Sequence, residues 1–188
     1  MHISKTDQND TGSSFHPDNG IYQLMGTLVD LFAAGSETTS SSLTWAILFM
    51  VRNLDIQTKV REEILRVIGS NRVPSLKDRV DLPYTEATIM EVQRLANIVP
   101  KAVPHGTLNK STTVGKFTIP KNHYVLASLT HVLHSEDYWD RSETFNPDRF
   151  LTHGKITRNE KLIPFSIGKR QCPGESLARA EIFLFSPV

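Results

Sequence analysis

The segment that most constrains this chain runs from Phe165 to Gly174 and contains Cys172, the only cysteine among 188 residues. A single cysteine cannot form an intramolecular disulfide, so the fold must depend on a packed core. Pro173 follows the cysteine, and proline is favoured at the first position of an α-helix. We therefore predict that a helix begins here, with Cys172 as its N-cap residue.

The predicted setting of Cys172 favours an ionised thiolate, because a helix N-terminus offers unpaired N–H groups and the positive end of the helix dipole. Gly168 and Gly174 lack Cβ atoms, which lets a large flat ligand approach the backbone. Arg170 offers a rigid fork of donors for a carboxylate or phosphate. These residues fit a haem, with iron on sulfur and a propionate on arginine. The alternative is a small buried apolar cysteine, which is the commoner role of a lone cysteine.

Composition is that of an ordinary globular domain, with 39% hydrophobic and 22% charged residues. The net charge of +1 gives no electrostatic reason to expect a nucleic-acid partner. Residues 1–20 are polar and lack the apolar core of a signal peptide. The longest apolar run, residues 45–51, is too short to cross a bilayer. We therefore expect no membrane anchor in this chain.

The hydrophobic pattern predicts a fold that is mainly α-helical with a small β-sheet. Residues 1–20 are predicted to be a disordered polar tail. Helices are predicted over residues 21–51, 56–68, 83–96 and 129–135, with a last helix from Cys172. Strands are predicted over residues 114–119 and 123–128, around a turn at residues 120–122, and residues 140–160 are predicted to be irregular. No repeat or domain boundary is apparent within residues 21–188.

The first predicted helix contains a second motif, residues 34–39, which read Ala-Gly-Ser-Glu-Thr-Thr. Glycine and threonine are poor helix formers, and a helical threonine hydroxyl tends to bond the carbonyl four residues earlier and bend the helix. Such a helix could hold dioxygen beside a hydroxyl and a carboxylate that pass protons to it. The alternative is a core helix whose threonines bond only locally, and the motif on its own favours that alternative.

Four further residues are ambiguous when taken alone. Glu91 and Arg94 lie three residues apart on one helix face, where such a pair is commonly a weak surface interaction. Arg149 lies in Pro-Asp-Arg-Phe, between that helix and the cysteine segment. His105 follows a proline and is either a ligand-binding residue or a loop histidine in solvent.

Along the chain the four motifs occur in the order 34–39, 91–94, 147–150 and 165–174. In that order they resemble the motifs of the cytochrome P-450 family, the haem-thiolate monooxygenases. The cysteine segment matches Phe-x-x-Gly-x-Arg-x-Cys-x-Gly, and residues 175–185 resemble the helix that follows the cysteine in the microsomal animal branch. The resemblance extends from Ile21 to Phe185. It implies that residues 21–188 are the C-terminal portion of the cytochrome P-450 fold, truncated at both ends.

The resemblance implies haem b as cofactor, with Cys172 as the iron ligand. Thr38 would be the oxygen-activating threonine and Glu37 the acid of a proton relay. Glu91, Arg94 and Arg149 would form a buried structural charge network that locks the third helix to the loop before the haem ligand. Further haem-binding positions implied by the resemblance are Arg170, His105, Phe165, Gly168, Gly174, Ala34 and Gly35.

The implied activity is monooxygenation, in which one atom of dioxygen enters an apolar organic substrate and the other leaves as water. NADPH would act only indirectly, through a flavoprotein reductase. Full-length members of this branch lie at the endoplasmic reticulum membrane, whereas a chain without an anchor would be cytoplasmic. One alternative is a haem-thiolate enzyme that rearranges peroxides, which the Glu37–Thr38 pair disfavours. The other is an inactive truncated fragment that binds haem weakly or acts only through a partner.

Overall fold

The computed structural model describes residues 17–185, which contain five α-helices and three two-stranded antiparallel sheets. The helices are α1 (Pro17–Arg52), α2 (Leu54–Val67), α3 (Pro83–Ala96), α4 (Leu129–His134) and α5 (Glu175–Phe185). The strands are β1 (His105–Gly106), β2 (Thr112–Val114), β3 (Phe117–Ile119), β4 (Tyr124–Val125), β5 (Leu151–Thr152) and β6 (Lys155–Ile156). Short 3-10 helices cover Leu76–Asp81, Pro147–Phe150 and Gly168–Arg170. The predicted mainly helical fold with little β structure is confirmed.

Contacts divide the chain into two units, and the division falls inside α1 between Ser40 and Ser41. The described part of the first unit is the helical stretch 17–40. Its large apolar side chains are exposed, namely Ile21, Tyr22, Leu24, Met25, Leu28, Val29, Leu31 and Phe32. Residues 1–16 of the predicted tail lie outside the described residues, and its last four residues belong to α1.

Helix α3 is the centre of the second unit, and every residue from Thr85 to Arg94 is buried. One face of α3 packs with the end of α1, with α2 and with α5, in a cluster that includes Met50, Val60, Ile64, Ile89, Val92, Ile182 and Phe183. Another face packs Ala87 and Met90 against Trp139 and Phe150. Side chains on α3 therefore reach several elements at once, which is what a tertiary charge network requires.

A carboxylate from α2 caps the N-terminus of α3. Glu63 accepts hydrogen bonds from the backbone N–H groups of Tyr84 and Thr85, at 2.9 and 2.7 Å. Its Oε2 also accepts the Thr85 hydroxyl at 2.7 Å. These N–H groups have no partner within a helix, and the positive end of the helix dipole favours a carboxylate there. The buried charge of Glu63 thus docks α2 against the start of α3.

The predicted strand over residues 114–119 is wrong, because a two-residue turn divides it. β2 and β3 form a hairpin around Gly115 and Lys116, and Gly115 has φ +58°, which favours glycine. β4 pairs with β1 instead, placing His105 opposite Val125. The stretch 140–160, predicted to be irregular, includes the β5–β6 hairpin.

The prediction that the last helix begins at Cys172 is also wrong. α5 begins at Glu175, and the carbonyl of Gly174 accepts the N–H of Ala178 at 2.9 Å as the first helical hydrogen bond. The N–H of Cys172 donates instead to the carbonyl of Phe165 at 3.0 Å. This long-range bond makes Cys172 part of the preceding loop, two residues before the N-cap position.

Candidate functional site

Cys172 ends a closed loop, residues 165–172, and its side chain is exposed. Besides the bond that closes the loop, the N–H of Gln171 donates to the carbonyl of Gly168 at 3.1 Å. Gly168 has φ +84°, a conformation that side chains with a Cβ rarely adopt. A Cβ built at Gly168 would meet no atom within 4 Å, so the backbone conformation, rather than local space, selects glycine here.

The donor set at Cys172 fits a metal that brings most of its own ligands. Within residues 17–185, no group of three or more His, Cys, Asp or Glu side chains could hold a bare metal ion. A single thiolate is enough for iron that four porphyrin nitrogens already hold. A Cβ at Gly174 would lie 3.9 Å from the sulfur of Cys172, which is ordinary contact. This donor set is compatible with haem iron, and the role of Cys172 as its ligand stays a prediction.

Arg170 and His105, the two predicted propionate partners, both have exposed side chains. Arg170 ends the 3-10 helix two residues before the cysteine, and His105 lies in β1. A cleft of about 190 Å³ lies beside the cysteine loop, lined by residues 162–167 and by Gln171, Glu175 and Arg179. This volume is below the ~300 Å³ of the smallest usual ligand pockets. The propionate roles of Arg170 and His105 stay predictions.

The Ala34–Thr39 motif lies in the first unit, within the continuous helix α1. The hydroxyl of Thr38 donates to the carbonyl of Ala34 at 2.7 Å, the bond expected of a helical threonine. Thr38 is half-buried and Glu37 is exposed. A Cβ at Gly35 would meet nothing within 4 Å. This geometry suits both a local helix role and an oxygen-binding role, so the latter stays a prediction.

Glu91 and Arg94 form a fully buried ion pair, with both side chains 0% exposed. Arg94 Nε donates to Oε2 of Glu91 at 2.8 Å, and Nη2 donates to Oε1 at 3.0 Å. Arg94 also donates to the carbonyls of Leu133 and Ser142, at 2.7 and 2.6 Å. Its guanidinium carbon lies 5.2 Å from the centre of the Trp139 ring. Such complete hydrogen bonding is what allows a charge pair to be buried.

Arg149 joins this pair from the 3-10 helix Pro147–Phe150, which precedes the β5–β6 hairpin. Its Nε donates to Oε1 of Glu91 at 3.0 Å, and the N–H of Asn146 donates to the same oxygen at 2.9 Å. The terminal nitrogens of Arg149 donate to the carbonyls of Asp140 and Thr144, at 3.0 and 3.1 Å. The structure thus brings the three residues together, because Arg94 and Arg149 both contact the Glu91 carboxylate on α3.

Sequence reasoning missed a second charged group, beside the cysteine loop. Arg179 Nε donates to Oε1 of Glu175 at 2.9 Å, and Gln171 Nε2 donates to Oε2 at 2.9 Å. The guanidinium carbon of Arg179 lies 5.1 Å from the centre of the Phe165 ring. The i,i+4 spacing of Glu175 and Arg179 could have indicated their pairing. No local pattern indicates the contact with Phe165.

The clearest pKa shifts lie near the start of α3. Burial raises the pKa of Tyr84 to about 12, and the charge of Asp148 adds to this effect. Hydrogen bonds from the guanidinium of Arg72 hold the pKa of Asp78 well below its usual range. The phenol of Tyr84 is therefore neutral and the carboxyl of Asp78 ionised at neutral pH, and both groups concern the fold.

A family model described as Cytochrome P-450 matches residues 2–187. The chain belongs to the cytochrome P-450 family. It is 47% identical over 185 residues to cytochrome P-450 2U1 of Homo sapiens, 46% over 183 residues to cytochrome P-450 2J2 of Homo sapiens, and 45% over 180 residues to cytochrome P-450 2B4 of Oryctolagus cuniculus. These matches cover 98%, 97% and 95% of this chain, but 33%, 35% and 36% of the relatives.

The resemblance predicted from the motifs is thereby confirmed, and the chain spans about a third of the length of these cytochrome P-450 relatives. The family implies a haem cofactor with thiolate ligation, and Cys172 is the one cysteine in this sequence. Among the helices of residues 17–185, none is both long and apolar enough to cross a membrane.

Proposed function

We propose that this chain is the haem-thiolate part of a monooxygenase, in which the sulfur of Cys172 binds the iron of haem b. The observation that carries the proposal is an exposed, unique cysteine at the end of a closed loop, in a member of the cytochrome P-450 family. When bound, the haem supplies the activation of dioxygen, and the thiolate favours cleavage of the O–O bond.

The residues around Cys172 hold the cofactor in place. Arg170 and His105 bind propionate carboxylates, for which exposed cationic or hydrogen-bonding side chains are suited. Phe165 and Gly168 shape the loop that presents the sulfur, and Gly174 follows that loop at the start of α5.

The first unit serves the oxygen chemistry. Ala34 and Gly35 line the oxygen site in this proposal, and the space beside Gly35 is open, because a Cβ there would meet no atom within 4 Å. Thr38 and Glu37 move protons toward dioxygen. The Thr38 hydroxyl donates its proton to Ala34, so it must rotate away from that carbonyl before it can donate elsewhere.

Glu91, Arg94 and Arg149 have a structural role in this proposal. The Glu91 carboxylate ties Arg94 on α3 to Arg149 in the 3-10 helix Pro147–Phe150, which the chain passes before it reaches the cysteine loop. On the basis of family membership, the substrate is an apolar organic molecule, NADPH supplies electrons through a flavoprotein reductase, and the whole protein lies at the endoplasmic reticulum membrane.

Oxygen-isotope labelling tests the proposed reaction. A chimera in which this chain replaces the matching third of the Homo sapiens 2U1 relative would be supplied with reductase, NADPH, an apolar substrate and oxygen-18 gas. We expect one labelled oxygen atom in each product molecule, and no product from the Cys172→Ala chimera. Unlabelled product would contradict monooxygenation and favour rearrangement of a peroxide. Equal turnover by the Cys172→Ala chimera would contradict the assigned ligand.

A further inference from the structure

The loop that carries Cys172 is held at both ends by four side chains, Phe165, Gln171, Glu175 and Arg179, which we name the Arg179 cluster. Phe165 begins the loop, and its ring faces the guanidinium of Arg179, with 5.1 Å between the guanidinium carbon and the ring centre. Gln171 immediately precedes Cys172, and its Nε2 donates to Oε2 of Glu175 at 2.9 Å. Nε of Arg179 donates to the other oxygen of Glu175 at 2.9 Å. Both ends of the loop are thus joined to the first turns of α5.

The central pair of this cluster is better placed than an ordinary surface ion pair. The side chains of Arg179 and Glu175 are only 23% and 27% exposed. Glutamate four residues before arginine is the favourable order on a helix, and a carboxylate in the first turn interacts favourably with the helix dipole. A guanidinium within about 6 Å of an aromatic ring is attracted by the negative face of the ring. Arg179 therefore makes two contacts at once: its guanidinium faces the Phe165 ring, and its Nε donates to Glu175.

Arg179 also explains an irregularity on α3. The side chain of Gln93 is 6% exposed, and its Nε2 has no hydrogen-bond partner among residues 17–185. Nη1 of Arg179 lies 3.5 Å from Oε1 of the same amide. A reversed amide would turn its N–H groups toward the guanidinium, which has no acceptor. The positive charge of Arg179 thus favours the orientation in which the amide oxygen of Gln93 faces the guanidinium. In that orientation the amide nitrogen has no partner among residues 17–185.

We propose that Arg179 is a positioning residue for the cysteine loop, holding its first residue through the Phe165 ring and its last turn through Glu175 and Gln171. The closing bond from the N–H of Cys172 to the carbonyl of Phe165 joins these same two ends. Loss of Arg179 should therefore loosen the loop at both of its ends. That the sulfur so positioned binds haem rests on the proposed function, but the effect on the loop does not.

Amide hydrogen exchange of the 188-residue chain tests this role. The variants are Arg179→Ala, Arg179→Lys and the control Arg158→Ala, which removes an exposed arginine outside α2. We expect exchange of residues 165–172 to be about tenfold faster in Arg179→Ala and unchanged in the control. Lysine lacks the planar fork, so Arg179→Lys should exchange at an intermediate rate. Exchange of α2 should be the same in all four proteins.

Wild-type exchange of residues 165–172 in Arg179→Ala would overturn the proposal, and so would an equal acceleration in α2, which would indicate global destabilisation. If Arg179→Ala does not fold, the lysine variant decides, because wild-type exchange in that protein would also overturn the role. With haem added, the reduced carbon-monoxide complex of Arg179→Lys should show a smaller thiolate-type Soret band than wild type. Absence of that band in the wild-type chain would contradict haem binding through Cys172. The exchange rates of residues 165–172 would still test the positioning role of Arg179, because they do not depend on haem.

Discussion

Substitution of Glu91 by alanine is the most informative test of the fold around the site. The carboxylate of Glu91 accepts four hydrogen bonds, two from Arg94, one from Arg149 and one from the N–H of Asn146. Alanine removes all four and leaves the Arg94 guanidinium, which is 0% exposed, with carbonyl partners but no counter-charge. Loss of one partner of a buried pair costs about 3–5 kcal/mol. This is a large share of a total stability of roughly 5–15 kcal/mol.

We expect Glu91→Ala to lower the free energy of unfolding in urea by about 4 kcal/mol, near the middle of that range, because Arg94 keeps its two carbonyl acceptors. Unfolding can be followed by the fluorescence of Trp139, which is 2% exposed and packs against Arg94. The matched control is Glu62→Ala, which removes an exposed glutamate from α2 and should change stability by less than about 0.5 kcal/mol. A Glu91→Ala protein within about 1 kcal/mol of wild type would refute the argument that this charge is buried and indispensable.

The Arg72 hydrogen bonds that lower the pKa of Asp78 stabilise the fold fully above about pH 4, and this contribution is lost as the pH falls through the lowered pKa. The urea midpoint of wild type should therefore fall more steeply on acidification than that of Asp78→Asn, and parallel curves would contradict the assignment. In the chimera, Thr38→Ala should keep its haem content but produce more peroxide per NADPH consumed; an unchanged ratio would leave Thr38 as an ordinary helix residue. The 188-residue chain with haem, reductase and NADPH should show no substrate-dependent oxygenation, because the cleft of about 190 Å³ beside the cysteine loop is too small to enclose an apolar substrate, and oxygen activation requires exclusion of water; labelled product would contradict this.

Local patterns predicted the helices well, because their signals lie within a few residues. Pro83 marked the start of α3, and the apolar spacing located α2 to within two residues. The same reasoning failed at Cys172, whose N–H bonds a carbonyl seven residues earlier instead of capping a helix. It also failed for β4, because its partner β1 is separated from it in the sequence by the whole β2–β3 hairpin.

The candidate site shows the same limit. The spacing of Glu91 and Arg94 indicated a pair, but Arg149 lies 58 residues from Glu91, and only the family resemblance linked them. The carbonyl groups that receive the Arg94 donors cannot be read from any motif, because a carbonyl is present in every residue. The contact between Arg179 and Phe165 likewise depends on how the loop folds back on α5, which is a tertiary property.

The reduced carbon-monoxide spectrum of the haem-loaded chain tests the central assignment most directly. Because Cys172 is the only cysteine, a thiolate signature can come from no other residue. We predict the red-shifted Soret band of thiolate-ligated haem in wild type and its complete loss in Cys172→Ala. A wild-type spectrum typical of histidine ligation, unchanged by Cys172→Ala, would contradict the assignment of Cys172 as the haem ligand.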